Sequence, residues 1–469
     1  MLLRNSVCFQ DTKLLFVEGN QFFEAAGCGE LFHALEGNLV CENLKKCSFT
    51  HKNAEIVRKF FPYSAPCKNK TKKISMGFGD RLGIAGCGHL RAIKGRDVFP
   101  IMAQQSMREL SLTKRGYEDV IDSSTWAVMI SGYTGGFGAD GDHLKRFEDI
   151  AYALKCGCTM ITLDCSDHIH NAMLGLSNDA LKEKYQAAGL SKNGRMERYL
   201  KKYVKLADVE FEISEEDIMR FELVYGDAIE FICGVWERFI KGNDIDFEIS
   251  IDETDVSTDP LSHYMLGNEL ALSGVAISSM APRFCGHFEK GIDYVGDIKQ
   301  FEREFKIHEF ICEKLGYKIS VHSGSDKFGV FEIIGRCASS FHLKTAGTSW
   351  LEAVRTISKV EPELFRKIYA YAIEVYSQAS EFYVITYGPK TMPEISAYRD
   401  DELITLMDRD DVRQTLHIAY GYILCDQDEK GNYKFREEVY SALNKNIEIY
   451  DDMLERHFNR HMDLLSILS

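Results

Sequence analysis

Residues 317–350, YKISVHSGSDKFGVFEIIGRCASSFHLKTAGTSW, decide the fold. They read as two buried strands, 318–322 and 340–344, separated by a short helix over 328–337. Side chains of a strand point to opposite faces with period two. Ile319 and Val321 therefore share one face while Ser320 and His322 share the other, and Phe341 and Leu343 oppose Ser340, His342 and Lys344. The apolar frame packs against helices, and the polar frame lines a surface on which chemistry can sit.

The same rhythm extends in both directions. Strand-like runs are predicted at 81–85, 98–103, 126–131, 160–164, 247–253, 275–280, 318–322 and 340–344. Helical patterns separate them: in 143–155, Leu144, Phe147, Ile150, Ala151 and Leu154 fall on one stripe, and 301–315 behaves alike. Strands alternating with helices imply parallel pairing through crossover helices. Eight such units across 73–360 predict an α/β fold, a (β/α)8 barrel of the TIM type, with its active site at the C-terminal ends of the strands. An accessory segment, 1–72, precedes it, with a strand-like run at 13–17 and a lysine-rich patch, Lys68 to Lys73, read as a solvated loop. A helical insertion, 171–246, follows the fourth strand. Its last helix opens at Ser214-Glu-Glu-Asp217, a capping signature, and the insertion could serve as a lid or as a contact in a homo-oligomer. Residues 361–469 form a helical C-terminal extension, with helices expected over 365–380 and 435–461.

At 469 residues the chain is long enough for a large core. Its 56 Lys and Arg against 71 Asp and Glu give a net charge of −15, which disfavours nucleic acid and anionic membranes as partners. A small anionic substrate then requires a local cluster of cations. Fourteen cysteines without a C-x-x-C pair suggest a reducing cytoplasm. No signal-like segment and no long apolar run points to secretion or membrane spanning.

The polar frame offers Thr162 and Asp164, Ser250 and Asp252, Ser320 and His322, and Ser340, His342 and Lys344. A single histidine in such a frame would be a structural one. Two at matching depth on adjacent strands, with carboxylates across the barrel, point to one divalent metal ion. The donor set suits Zn, Mn, Fe, Co or Ni. Beyond the strand ends lie Asp167 and His168 in LDCSDHI, Glu253 in SIDET, Arg283, Asp326 and Lys327, and Asp80 and Arg81 after Gly77-Phe-Gly79. A competing signal is Gly136-Phe-Gly138-Ala-Asp-Gly141, with Asp164 some twenty residues further on. That is the outline of a dinucleotide fingerprint and would make the protein an NAD-dependent sugar oxidoreductase, but it leaves His322 and His342 without a role. A non-catalytic barrel that binds sugar acids is the third reading.

Five stretches carry a family resemblance: SMGFGDRLGIA (75–85), SIDETD (250–255), APRFCGHFEKGIDYVGD (281–297), HSGSDKF (322–328) and FHLKTAGTSWLEA (341–353). They resemble the tagaturonate epimerase family and span the barrel from its first strand to its last. The resemblance implies a metal-dependent isomerase that interconverts D-tagaturonate and D-fructuronate in hexuronate catabolism. These ketouronates differ at the carbon β to the ketone, whose C–H the carbonyl does not acidify, so enolisation alone cannot invert it. Transient oxidation by a nicotinamide is one route; retro-aldol cleavage, rotation of the aldehyde and readdition is the other. The second suits this chain, because a divalent ion chelated by the ketone and adjacent hydroxyl stabilises the enediolate formed on cleavage. It requires two acid/base groups. On this reading His322, His342 and His168 hold the metal. Glu253 and either Asp167 or Asp164 form the acid/base pair, with Glu253 preferred to Asp252 because the resemblance favours the SIDE stretch. Asp80, Arg81, Arg283, Asp326, Lys327 and Lys344 line the substrate, the cations among them facing its carboxylate.

Overall fold

Eight parallel strands close into a barrel in the computed structural model, which describes residues 3–17, 22–190, 194–254, 256–381 and 383–467. They are β1 (Ile74–Phe78), β2 (Phe99–Ser106), β3 (Gly138–Leu144), β4 (Met160–Asp164), β5 (Asp246–Ile251), β6 (Ser279–Pro282), β7 (Lys318–Val321) and β8 (Phe341–Thr345). Each pairs with its neighbours in sequence, and β8 closes on β1 with His342 opposite Ser75. The fold is therefore the (β/α)8 barrel that the alternation predicts. Ile161, Leu163, Ile249, Ile251, Val321 and Leu343 are buried in the apolar layer beneath the helices. Thr162, Glu248, Ser250, Ser320, His342 and Lys344, in the other frame, are equally buried.

Two expected strands are something else. Residues 81–85 form the loop after β1, because the Asp80 carboxylate accepts the backbone N–H groups of Leu82, Gly83 and Ala85 at 3.1, 2.7 and 2.8 Å. An aspartate that satisfies three local donors competes with a sheet ladder for them. Residues 126–131 end the helix Tyr117–Ser131. Its apolar run reflects cover on both sides: Trp126 packs on Phe23 and Phe49 with ring centroids 5.4 and 4.9 Å apart, while Val128 joins the barrel core. A helix apolar all round is one buried all round, and a short apolar run cannot tell it from a strand. The third strand is instead GADGDHL. A Cβ at Gly138 would lie 2.5 Å from Ile101 Cδ1, so glycine is needed for the close approach of β2. Gly136 to Gly141 thus runs into a barrel strand and does not form the phosphate-binding turn that a dinucleotide site requires.

The N-terminal residues form a five-stranded antiparallel sheet, in the order Leu3–Phe9, Thr12–Val17, Phe22–Gly27, Leu44–Ser48, Asn38–Cys41. Between β4 and β5 the described residues include the short α-helices Asn178–Ala187 and Arg195–Tyr199, a hairpin (Tyr203–Leu206 with Val209–Glu212) and the long helix Glu215–Val235. Ser214 and Asp217 form a reciprocal capping box at its start. After β8 the chain is helical, and its last helix, Ile447–Leu464, packs closely on Gly86–Ala92: a Cβ at Gly88 would sit 2.7 Å from Leu454. No described helix is long and apolar enough to cross a membrane. All fourteen cysteines are free. Trp126→Ala should destabilise the protein by about 3–5 kcal/mol, the usual cost of deleting a buried indole. Denaturant titration followed by circular dichroism reads this, and a loss below 1 kcal/mol, less than any large cavity costs, would show that the sheet is not packed on this helix.

Candidate active site

The barrel interior is charged. Lys344 of β8 reaches Asp140 and Asp142 of β3 at 2.8 and 2.6 Å, and Glu248 of β5 at 3.0 Å; it also bonds the Thr162 hydroxyl. All five groups are buried. Removal of an ion from water is tolerated only when opposite charge and hydrogen bonds replace the lost hydration. One ammonium cannot neutralise three carboxylates. Asp142 is held down at about 2 against the pull of burial, by Lys344 and by His143 and His322, and Glu248 is held well below its usual range. Burial pushes Asp140 up to about 6 despite Lys344.

Above this floor the strand ends bring His143, Asp252 and His322 together, each with one ligand atom within 4.8 Å of the others. The His143 and His322 rings meet edge to face, with centroids 4.8 Å apart. His322 Nε2 lies 2.7 Å from Glu248 and Nδ1 lies 3.2 Å from Asp252. Glu248 thereby fixes the ring and leaves Nδ1 and the Asp252 carboxylate facing a common point. Burial would lower both histidines, but surrounding carboxylates prevail: Asp142 and Asp164 push His143 up to about 10, and Asp252 and Glu248 raise His322. His143 Nδ1 is buried without a hydrogen-bond partner. Two imidazoles and a carboxylate, backed by a carboxylate on the far ring nitrogen, suit a divalent cation with open positions for substrate. The group lines a cavity of about 260 Å³ at the C-terminal mouth, together with Arg81, Arg108, Asp164, Glu253, Lys290 and Tyr383.

A sequence model described as tagaturonate epimerase matches residues 6–465. The chain is 41% identical over 424 residues to the tagaturonate/fructuronate epimerase of Thermotoga maritima, covering 89% of this chain and 86% of that protein. The chain belongs to the tagaturonate epimerase family. It also superposes on a glycerol complex of the fructuronate-tagaturonate epimerase UxaE from Cohnella laeviribosi, with a TM-score of 0.96, 42% identity and coverage of 99% and 96% of the two chains. The native crystal structure of that protein gives 0.95 at the same identity.

Within this epimerase-family barrel, the residues expected at the site divide. His322, Asp164, Glu253, Arg81, Lys327 and Lys344 line the cavity. His342 does not join His322. It sits one step lower in β8, with Nδ1 3.0 Å from the Ser75 hydroxyl, and burial pushes it down to about 3. His168 stacks on Phe231 at 4.2 Å, turned toward the helix Glu215–Val235. The trio His168, His322 and His342 is therefore not assembled; the side chains that join His322 at the mouth are His143 of β3 and Asp252, which follows β5. Asp167 is exposed and pairs with Lys145 at 2.7 Å, outside the cavity. Arg81 binds Glu109 at 2.8 Å beneath the Tyr420 ring. Lys327 donates to the carbonyls of Glu289, Ile292 and Ser325 at 2.7 to 2.8 Å. Asp80 caps its own loop. Asp326 pairs with Arg413 at 2.9 Å and His457 at 3.1 Å, and its N–H donates to His461 Nε2 at 3.1 Å. It thus pins the last helix to the barrel. Arg283 lines only the adjoining part of the cleft. Asp255, the end of the SIDETD stretch, lies outside the described residues.

Sequence reasoning missed His143, Asp140, Asp142 and Glu248. Glu248 shares the parity of Ser250 and Asp252, so the pattern contained it. His143 did not follow parity: its φ of +52° turns the strand end and brings the ring into the cavity. Gln104, which is buried and lines the cavity, also went unnoticed; both amide atoms lack partners, and its Oε1 occupies the space where a Cβ on Gly77 would stand.

Lys344→Met should cost about 3–5 kcal/mol, as expected when one partner of a buried ion cluster is removed. The pH dependence has a definite sign. In the parent, Asp142 and Glu248 titrate below their unfolded values, so their contribution is complete above the unfolded carboxylate range near pH 4 and is lost on acidification toward the folded value of about 2 for Asp142. In the variant the same carboxylates rise above their unfolded values, so the deficit should shrink as pH falls from about 7 to 5. A deficit that is equal at both pH values, measured by urea unfolding, would count against the charge cluster.

Proposed function

We propose that this protein epimerises D-tagaturonate and D-fructuronate, using a divalent cation held by His143, Asp252 and His322. Family membership across nearly the whole chain supports the substrate, and the converging donors at the barrel mouth support the ion. A cation bound there would supply a Lewis acid for the ketone and its adjacent hydroxyl. Glu248 orients His322, and the Lys344 cluster holds Glu248. Asp164 and Glu253 are the two carboxylates of the expected acid/base set that face the cavity. Asp164 stays ionised: burial would raise it, but His143 and the Ser166 N–H hold it low. It is therefore suited to accept a hydroxyl proton, and Glu253 at the rim to return one on the other side of the cycle.

In the retro-aldol route one carboxylate takes the proton of the β-hydroxyl. The bond between the α and β carbons breaks, and its electron pair passes into the ketone-bearing fragment. The aldehyde turns over, the bond re-forms on its other face, and the second group, which enters the cycle as the carboxylic acid, protonates the new alkoxide, so the two groups end with their protonation states exchanged.

The first test is turnover of D-tagaturonate to D-fructuronate, followed by NMR, with chelator-treated protein before and after readdition of divalent ions. His143→Ala and His322→Ala should each lose bound metal in elemental analysis and reduce turnover at least about 100-fold while circular dichroism stays native. Full metal occupancy in both variants would refute the ligand set. Because the cation must displace imidazole protons, metal binding should tighten between about pH 6 and 8 and release protons, read by calorimetry in buffers of different ionisation enthalpy. In D2O the inverted carbon should keep its hydrogen; deuterium at that position would eliminate the retro-aldol route.

A further inference from the structure

Six cations line the cavity: Arg81, Arg108, Lys145, Lys290, Lys327 and Lys344. Four already have strong partners. Arg81 holds Glu109, Lys145 holds Asp167, Lys327 is enclosed by three carbonyls, and Lys344 sits among three carboxylates. Lys290 and Arg108 differ. Among the described residues neither has a carboxylate oxygen within 4.0 Å. Half-buried Lys290 donates to the Ser323 hydroxyl at 2.7 Å, and the more exposed Arg108 guanidinium lies 5.0 Å from the ring centre of Tyr383. Glu289, which also lines the cavity, is turned away onto Thr386 and Gln414.

Burial lowers the pKa of Lys290 and the nearby Arg108 guanidinium opposes its charge, while Glu253 and Glu109 offset this only from beyond ion-pair distance. Like charges in a partly desolvated cleft are unfavourable unless an anion lies between them. Their place is also informative. Ser323, the partner of Lys290, directly follows His322, so the pair borders the metal-binding group.

We propose that Lys290 and Arg108 grip the substrate's carboxylate. This assignment rests on the ketouronate substrate inferred above. The carboxylate end lies between the two cations while the ketone end faces His143, Asp252 and His322. Cleavage between the α and β carbons leaves the carboxylate on the aldehyde fragment. The grip therefore retains the piece that must turn, leaves its aldehyde carbon free to rotate, and selects uronates over neutral ketoses, which have a hydroxymethyl group at that end.

The test uses D-glycerate, a three-carbon hydroxy acid of the same carbon count as the aldehyde fragment, with glycerol as its neutral counterpart. Calorimetric binding to the intact protein is compared for the parent, Lys290→Gln, Arg108→Gln and Lys290→Arg, after circular dichroism shows each to be folded. Glycerate should bind the parent at least about tenfold more tightly than glycerol, lose about tenfold in each Gln variant, and recover to within about threefold in Lys290→Arg. KM for D-tagaturonate should rise in parallel, with the larger effect on KM than on kcat. Equal glycerate binding in parent and Gln variants, or a collapse of kcat at unchanged KM, would overturn the assignment. If the parent leaves D-tagaturonate unchanged while the glycerate series behaves as stated, the epimerase reading fails and the cation pair stands.

Discussion

The site depends on one buried ammonium. Lys344 of β8 gathers carboxylates from two other strands, Asp140 and Asp142 of β3 and Glu248 of β5, and two of these partners lead upward to the group of His143, Asp252 and His322: Glu248 to His322 Nε2, and Asp142 to the strand end that carries His143. Most (β/α)8 barrels fill this volume with branched apolar side chains. Here a compensated charge network takes that place, and it fixes the ring orientation of a histidine more tightly than packing alone, because hydrogen bonds specify direction and dispersion does not.

The same network explains the division of labour among the cations. Those near the centre are matched by carboxylates or carbonyls, so they set the shape and potential of the cavity they line. Unmatched positive charge is left at Lys290 and Arg108, where an anionic substrate can supply the missing partner. On this proposal a chain with net charge −15 meets an acidic sugar through individual cations at the mouth and not through its overall field. The C-terminal helices take part in this arrangement. Asp326, Arg413 and His457 tie them to the loop after β7, and Tyr383 and His417 from the same region reach the cavity wall.

Much of this was legible in the sequence. The alternation around His322 and Lys344 carries the barrel and its polar inner frame, and Glu248 lies in the same frame as Ser250 and Asp252. The third strand was not legible. GADGDHL has none of the β-branched or aromatic residues that mark a strand, because its inward positions are carboxylates and its glycines admit neighbouring strands. Its place in the count was taken by the Trp126 run, which is apolar because a helix there is covered on both sides. Losing that strand hid Asp140, Asp142 and His143 together, and His342 then stood in for the missing ligand. The matching depth expected of His322 and His342 does not hold, since His342 pairs with Ser320 one step lower, and the left-handed turn that brings His143 to His322 obeys no periodicity.

Anomalous diffraction from crystals soaked in Mn or Zn tests the central claim most directly. Expected is one ion within bonding distance of His143, Asp252 and His322, with Glu248 still on the far nitrogen of His322. An ion bound at His342, or only at Asp326, His457 and His461, would contradict it.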